Sequence, residues 1–218
     1  MLTFQQFQNS LQKLIAQFTT PAFEDELSAA KKEFFSNTGA LDETKSTYNL
    51  RMNQFYEWYF LTRSLRSYMK TPISVCEGQR DLRLTSEDEE TLGILKAHRH
   101  SIFEFTKTKD DSVLLKDLFR KDKIMVNNTG LVFGFEEKEY FEARVITIGK
   151  TNYFLKSFCF HPESAKKFIL SEVKIYQKNK DLNPEDFLLR LSKMRYKFEQ
   201  YQHLRPESIY TNENKLGL

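Results

Sequence analysis

Hydrophobic positions recur with a helical period over the first part of the chain. Phe4, Phe7, Leu11, Leu14 and Phe18 step by three and four, which places all five on one helix face. Thr3 suits its N-cap, and Thr19-Thr20-Pro21 stops it. A second helix is predicted from about Pro21, carrying Phe23, Leu27, Ala30 and Phe34 and ending in Ser36-Asn37-Thr38-Gly39. A third, capped by Asp42, is predicted to run to about Tyr68 with a stripe of Tyr48, Met52, Phe55 and Tyr59. Thr71-Pro72 breaks it, and Ile73–Thr85 has room for one brief helix. Ser86 and Glu89 then read as a capping box, followed by acids in the first turn.

After about His98 the period shortens to alternation. Runs beginning near Ile102, Ser112, Lys123, Tyr140 and Tyr153 read as short strands. Turn clusters separate them: Lys109-Asp110-Asp111, Arg120-Lys121-Asp122, Asn127-Asn128-Thr129-Gly130 and Gly149-Lys150-Thr151-Asn152. His161-Pro162 ends this part, with Pro162 suited to the first position of a helix whose inner face holds Ala165, Phe168, Ile169, Val173 and Tyr176. A loop over residues 179–183 leads to a last helix capped by Asn183, with Phe187, Leu191, Met194, Phe198 and Tyr201 along one seam. The fold class is therefore α+β. A helical region spans 1–97. A small antiparallel sheet or half-open barrel spans about 98–161, a C-terminal helical hairpin 162–205, and a flexible tail 206–218.

Composition sharpens this picture by exclusion. With 218 residues, 40% of them hydrophobic, the chain can bury a core and is not generally disordered. Two cysteines, Cys76 and Cys159, cannot make a disulfide framework and suit a reducing, cytoplasmic setting. No leader sequence and no spanning apolar segment is evident, so membrane insertion is not expected. Net charge is only +3, but residues 162–205 carry +4. Lys166, Lys167, Lys174 and Lys178 fall on the outer side of the first C-terminal helix, either as a solvated face or as contacts for phosphates or an acidic partner.

Candidate chemistry is sparse. No phosphate-cradling glycine loop, nucleophile elbow or zinc-helix motif occurs, so no catalytic set, cofactor or metal is expected. His98-Arg99-His100 puts two histidines on one side of a strand, and Cys159-Phe160-His161 pairs a thiol with an imidazole. A metal or Cys/His enzyme would need these to converge from afar. Phe103, Phe105, Tyr140, Phe141, Tyr153 and Phe154, interleaved with Lys107, Lys109, Arg144, Lys150 and Lys156, suit a packed core first and a base-stacking platform second.

The 31 aromatic residues concentrate in Phe55-Tyr56-Glu57-Trp58-Tyr59-Phe60, more than one amphipathic face requires. Tyr56, Trp58 and Tyr59 are therefore the expected anchors of a protein contact. The expected function is a non-enzymatic interaction or regulatory module. The alternative is a nucleic-acid binder using the β module and the basic C-terminal helix.

Several segments also carry a family resemblance: Phe55–Phe60 with Thr71-Pro72, Ser101-Ile102-Phe103-Glu104, Leu115-Lys116-Asp117-Leu118-Phe119, Phe141-Glu142-Ala143-Arg144-Val145 and Phe158-Cys159-Phe160-His161-Pro162. Together they resemble uncharacterised bacterial proteins with helices around a small β module, related to modules found beside SEC-C motifs. The resemblance spans roughly residues 50–170 and implies the architecture and a bacterial source. The Cys/His cluster of a SEC-C motif is missing, so it implies no metal site.

Overall fold

A computed structural model describes residues 2–78, 82–127, 136 and 138–213. Helices α1 (Phe4–Gln17), α2 (Glu24–Thr38), α3 (Tyr48–Leu61), α4 (Pro72–Gly78) and α5 (Ser86–Lys96) precede the sheet. Strands β1 (Arg99–Lys109), β2 (Ser112–Asp117), β3 (Lys123–Asn127), β4 (Tyr140–Ile148) and β5 (Thr151–His161) follow, then α6 (Lys166–Lys178), α7 (Pro184–Gln200) and α8 (Pro206–Ile209). The architecture is α+β, with helices at both ends of a mostly antiparallel five-stranded sheet. The strands lie in the order β1-β2-β3-β5-β4. The sheet also curls back on itself. Phe105 N donates to Glu139 O at 2.9 Å, and Lys138 N donates to Phe105 O at 3.1 Å, where the chain enters β4. Among the described residues, no helix is long and apolar enough to cross a membrane.

The chain divides into two compact units, with boundaries that cut across the four segments expected from the sequence. Residues 1–35, 41–99 and 145–157 form the first, and residues 36–40, 100–144 and 158–218 form the second. The β4–β5 hairpin therefore contributes its turn end to the first unit and its open end to the second.

In the first unit the aromatic tract is core. Phe55, Tyr59 and Phe60 are completely buried and Trp58 is 6% exposed. Phe34 packs edge-on against Phe55 and tilted against Trp58, with ring centroids 5.8 and 5.1 Å apart, and Tyr59 donates its hydroxyl to Phe18 O at 3.0 Å. Glu57, buried in the same tract, accepts the backbone N–H groups of Lys156 and Ser157 on β5 at 2.7 and 2.9 Å. One oxygen of a buried carboxylate in an aromatic helix thus takes two strand N–H groups, which ties α3 to β5.

Three local expectations are corrected. The capping box of α5 is Thr85 with Asp88, one residue before Ser86 and Glu89. Helix α3 begins at Tyr48 and stops at Leu61, while Asp42 closes a turn by accepting from Thr44 N. The tail is not loose from Pro206. Helix α8 folds back, and Ile209 and Tyr210 are buried among α6 and α7 residues of the second unit. That core includes Ile102, Tyr140, Ile169, Phe187, Leu188 and Leu191. The turn cluster expected at 127–130 lies outside the described residues from Asn128 on.

One glycine is required by its geometry. Gly39, just beyond α2, has φ +99°, and a Cβ there would lie 2.0 Å from the Tyr196 ring.

Asp88 makes the first unit acid-sensitive. Burial raises its pKa, but Lys13, the Thr85 backbone N–H and the Ser10 hydroxyl outweigh burial and hold it at about 2. A carboxyl depressed in the folded state adds stability above its unfolded pKa and loses it as pH falls toward the folded value. Asp88→Asn is expected to lower stability by about 2 kcal/mol at neutral pH and to flatten the loss between about pH 4 and pH 2. Urea denaturation across that range measures both. An unchanged pH profile in the variant would remove Asp88 as the cause.

Candidate functional site

The second unit holds a buried polar constellation on the side of β4 and β5 that faces α7 and α8. It is assembled from strand alternation. Phe158 and Phe160 point to one side of β5, where they stack on Phe141 with centroids 6.1 and 5.3 Å away. Cys159 and His161 therefore point to the other side, and both are buried. Glu142 on the neighbouring β4 shares that side. One ligand-type atom from each of Glu142, Cys159 and His161 lies within 4.8 Å of the other two.

Each of these groups is oriented by a neighbour. Glu142 Oε1 bonds His100 Nε2 at 2.9 Å, and Glu142 Oε2 accepts from the Ser192 hydroxyl on α7 at 3.2 Å. His100 Nδ1 reaches Glu185 Oε1 at 2.6 Å, and Arg144 Nη2 donates to Glu185 Oε2 at 3.4 Å. Glu185 stands in the first turn of α7, which Asn183 caps by accepting Glu185 N at 3.1 Å, so the helix dipole favours its charge. His161 Nδ1 lies 3.1 Å from the Tyr210 hydroxyl on the returning tail.

The two histidines are driven in opposite directions. Burial and the Arg144 charge push His100 down, but Glu185 and Glu142 outweigh them and raise its pKa, which favours the charged form of the ring between the two carboxylates. Burial, with Arg195 adding to it, takes His161 down to about 3, so its ring is neutral. Burial, then Cys159, raises the Tyr210 phenol. Neither Cys159 nor Cys76 is in a disulfide.

A second feature is the solvent face of β1–β3. In β2, Val113, Leu115 and Asp117 are buried while Lys116 is exposed and Ser112 and Leu114 are half-buried. Cross-strand register places Glu104 opposite Lys116 and Lys116 opposite Lys123. A bulge after Phe105 brings Lys107 opposite Leu114, Leu114 pairs with Met125, and Lys109 faces Ser112. Lys107, Lys109, Lys116 and Lys123 are all exposed, and Glu104 on this face lies 3.7 Å from Lys116. At the end of β2, the buried Asp117 accepts Ser101 Oγ and the N–H groups of Phe119 and Arg120, which shapes the turn carrying Arg120 and Lys121.

These placements sort the sequence candidates. Trp58 and Tyr59 are core, which corrects their role as surface anchors. The tract had more rings than one face needs because it is covered on several sides. Tyr56 alone is half-buried, beside a mainly apolar groove of about 330 Å³ lined also by Phe4, Leu11, Ile15 and Phe154. Phe103, Phe105, Tyr140, Phe141 and Phe154 are buried, so they form no stacking platform. Lys167, Lys174 and Lys178 are exposed on α6, whereas Lys166 lies over the Tyr140 ring and 3.5 Å from Glu163. His98 turns to Leu95 O at the end of α5 and His203 is exposed, so only His100, Cys159 and His161 enter the polar constellation. Glu142, Glu185, Ser192 and Tyr210 were missed by sequence reasoning. The alternation of β4 and the Asn-Pro-Glu helix start were the signals present for two of them.

Replacing His100 removes the charge that pairs both carboxylates. His100→Gln is expected to destabilise the protein by about 3 kcal/mol, because one partner of a buried charged network is lost. Ser192→Ala should cost nearer about 1 kcal/mol. Both are read from chemical denaturation midpoints. A His100→Gln effect within about 0.5 kcal/mol, the range of ordinary surface changes, would mean the network does not hold α7 in place.

No curated protein matches the chain, and no solved structure does. Residues 4–188, which take in every strand and the start of α7, match a described family, and on that match the chain belongs to the family of unknown function DUF7986.

Proposed function

We propose that the chain is a binding module for single-stranded nucleic acid, held on the solvent face of β1–β3. The observation that carries this reading is the lysine register. Lys116 and Lys123 stand directly opposite each other on adjacent strands, an arrangement that costs stability until an anion intervenes. With Lys107 on β1, the basic face crosses three strands, about 10 Å at the usual strand spacing. Leu114 and Met125 lie between the lysines and offer apolar contact to bases or sugars.

Two further features support it. Gln177 on α6 donates to Leu118 O and Phe119 O at 2.7 and 3.0 Å, so the end of α6 bearing Lys174 and Lys178 abuts the basic β2–β3 turn. A five-stranded, partly open sheet is also the architecture of oligonucleotide-binding folds, which use the β2–β3 face, although architecture alone never assigns a function. The face lacks aromatic rings. The reading therefore rests on phosphate contacts and predicts weak sequence preference. The protein-contact reading keeps only Tyr56, beside a groove for which no occupant is indicated.

Anisotropy of a labelled oligothymidine should show binding at about 50 mM salt. Three to four neutralised phosphates would give a log–log salt slope of about −2 to −3. The double variant Lys116→Glu/Lys123→Glu should weaken binding at least about tenfold and reduce the slope. Failure to bind at low salt would overturn the reading. So would equal competition by poly-glutamate, which would assign the face to an acidic protein.

A further inference from the structure

We propose that Glu142, Cys159 and His161 form a three-ligand site for a zinc-class divalent cation, with the fourth position taken by water. The donor set is one thiolate, one imidazole and one carboxylate, the mixture that zinc takes at sites with three protein ligands. It is preset by the fold. Cys159 and His161 are two apart on one side of β5, and Glu142 lies on the adjacent strand.

Separations of up to 4.8 Å exceed by about 1 Å the ligand spacing of a tetrahedral zinc site, a difference that side-chain rotation covers.

The independent observation is His161 itself. The residue is 5% exposed, and its Nδ1 is taken by the Tyr210 hydroxyl. Its Nε2 is buried with no hydrogen-bond partner among the described residues. A buried polar atom without a partner is costly, and a cation between Nε2, Cys159 Sγ and a Glu142 oxygen would satisfy it. The surrounding bonds have the form of an outer shell. Tyr210 orients the imidazole, and His100 and Ser192 orient the carboxylate while leaving it lone pairs to donate. The Cys159 thiolate supplies one full negative charge and Glu142 shares its own between the cation and His100, which lowers the cost of burying the metal. Binding replaces the thiol proton of Cys159 by the metal and releases that proton to solvent. This site lies on β4 and β5 and is independent of the lysine face.

Cobalt(II), as a spectroscopic stand-in for zinc, tests the site in the full chain. Titration of the metal-free protein should reach one equivalent and develop a thiolate-to-cobalt charge-transfer band in the near ultraviolet. Added zinc should abolish the band. Cys159→Ser should lose it while Cys76→Ser keeps it, and Tyr210→Phe should weaken binding about 10–100-fold. Absence of the band in the wild-type protein overturns the proposal whatever the variants do. So does a band that follows Cys76, or one-equivalent binding that survives the combined Cys159→Ser and His161→Gln changes.

Discussion

The second unit is organised by a rule of burial: a charge taken out of water must meet its opposite with hydrogen bonds. His100 meets Glu142 and Glu185 at once, and Arg144 meets Glu185 from the other side. Two cations and two carboxylates therefore balance where β1, β4 and the first turn of α7 come together. The apolar side chains of Ile102, Phe187, Leu188 and Leu191 supply the bulk of the packing, but they would tolerate several registers of α7. The charged set does not, because a one-turn slip would leave a carboxylate unpaired. It also fixes which way Glu142 points, and hence that it lies beside Cys159 and His161.

Much of the architecture was legible because its determinants are local. Strand boundaries fell where alternation met turn residues, and Asn183-Pro184 marked α7. The capping box was misplaced by one because Thr85-Ser86 and Asp88-Glu89 offer two overlapping boxes. Only tertiary contact, Ser10 and Lys13 on α1 reaching Asp88, separates them. The end of α3 was overestimated because Thr62–Tyr68 keeps helical composition. There the buried Arg63 is drawn instead to Glu26 and Glu33 on α2.

The polar constellation was not legible in full. His100, Glu142 and Glu185 are separated by 42 and 85 positions, and no periodicity links them. The aromatic tract misled for a related reason. Composition counts rings but not the number of elements that cover them, and even Glu57 within the tract is buried, with one carboxylate oxygen accepting from β5 backbone. On β1 the alternation was legible: Phe103 and Phe105 fill the inside of the sheet, as the packed-core reading expects, and Lys107 and Lys109 further along the strand carry the outer face.

The division between an apolar inside and a polar outside bears on where ligands can act. Phe103, Phe141 and Phe158 fill the interior of the curled sheet with rings about 6 Å apart, so chemistry is pushed to its outer surfaces. The β1–β3 part of that outside is left to solvent and is basic. The β4–β5 part is covered by α7 and α8 and is polar but closed. Ile209 and Tyr210 of the returning tail are buried on that second side. Tyr210 is thus both the group that orients His161 and part of the segment that closes the constellation. The few residues after Pro206 therefore complete the core and place the Tyr210 hydroxyl on His161.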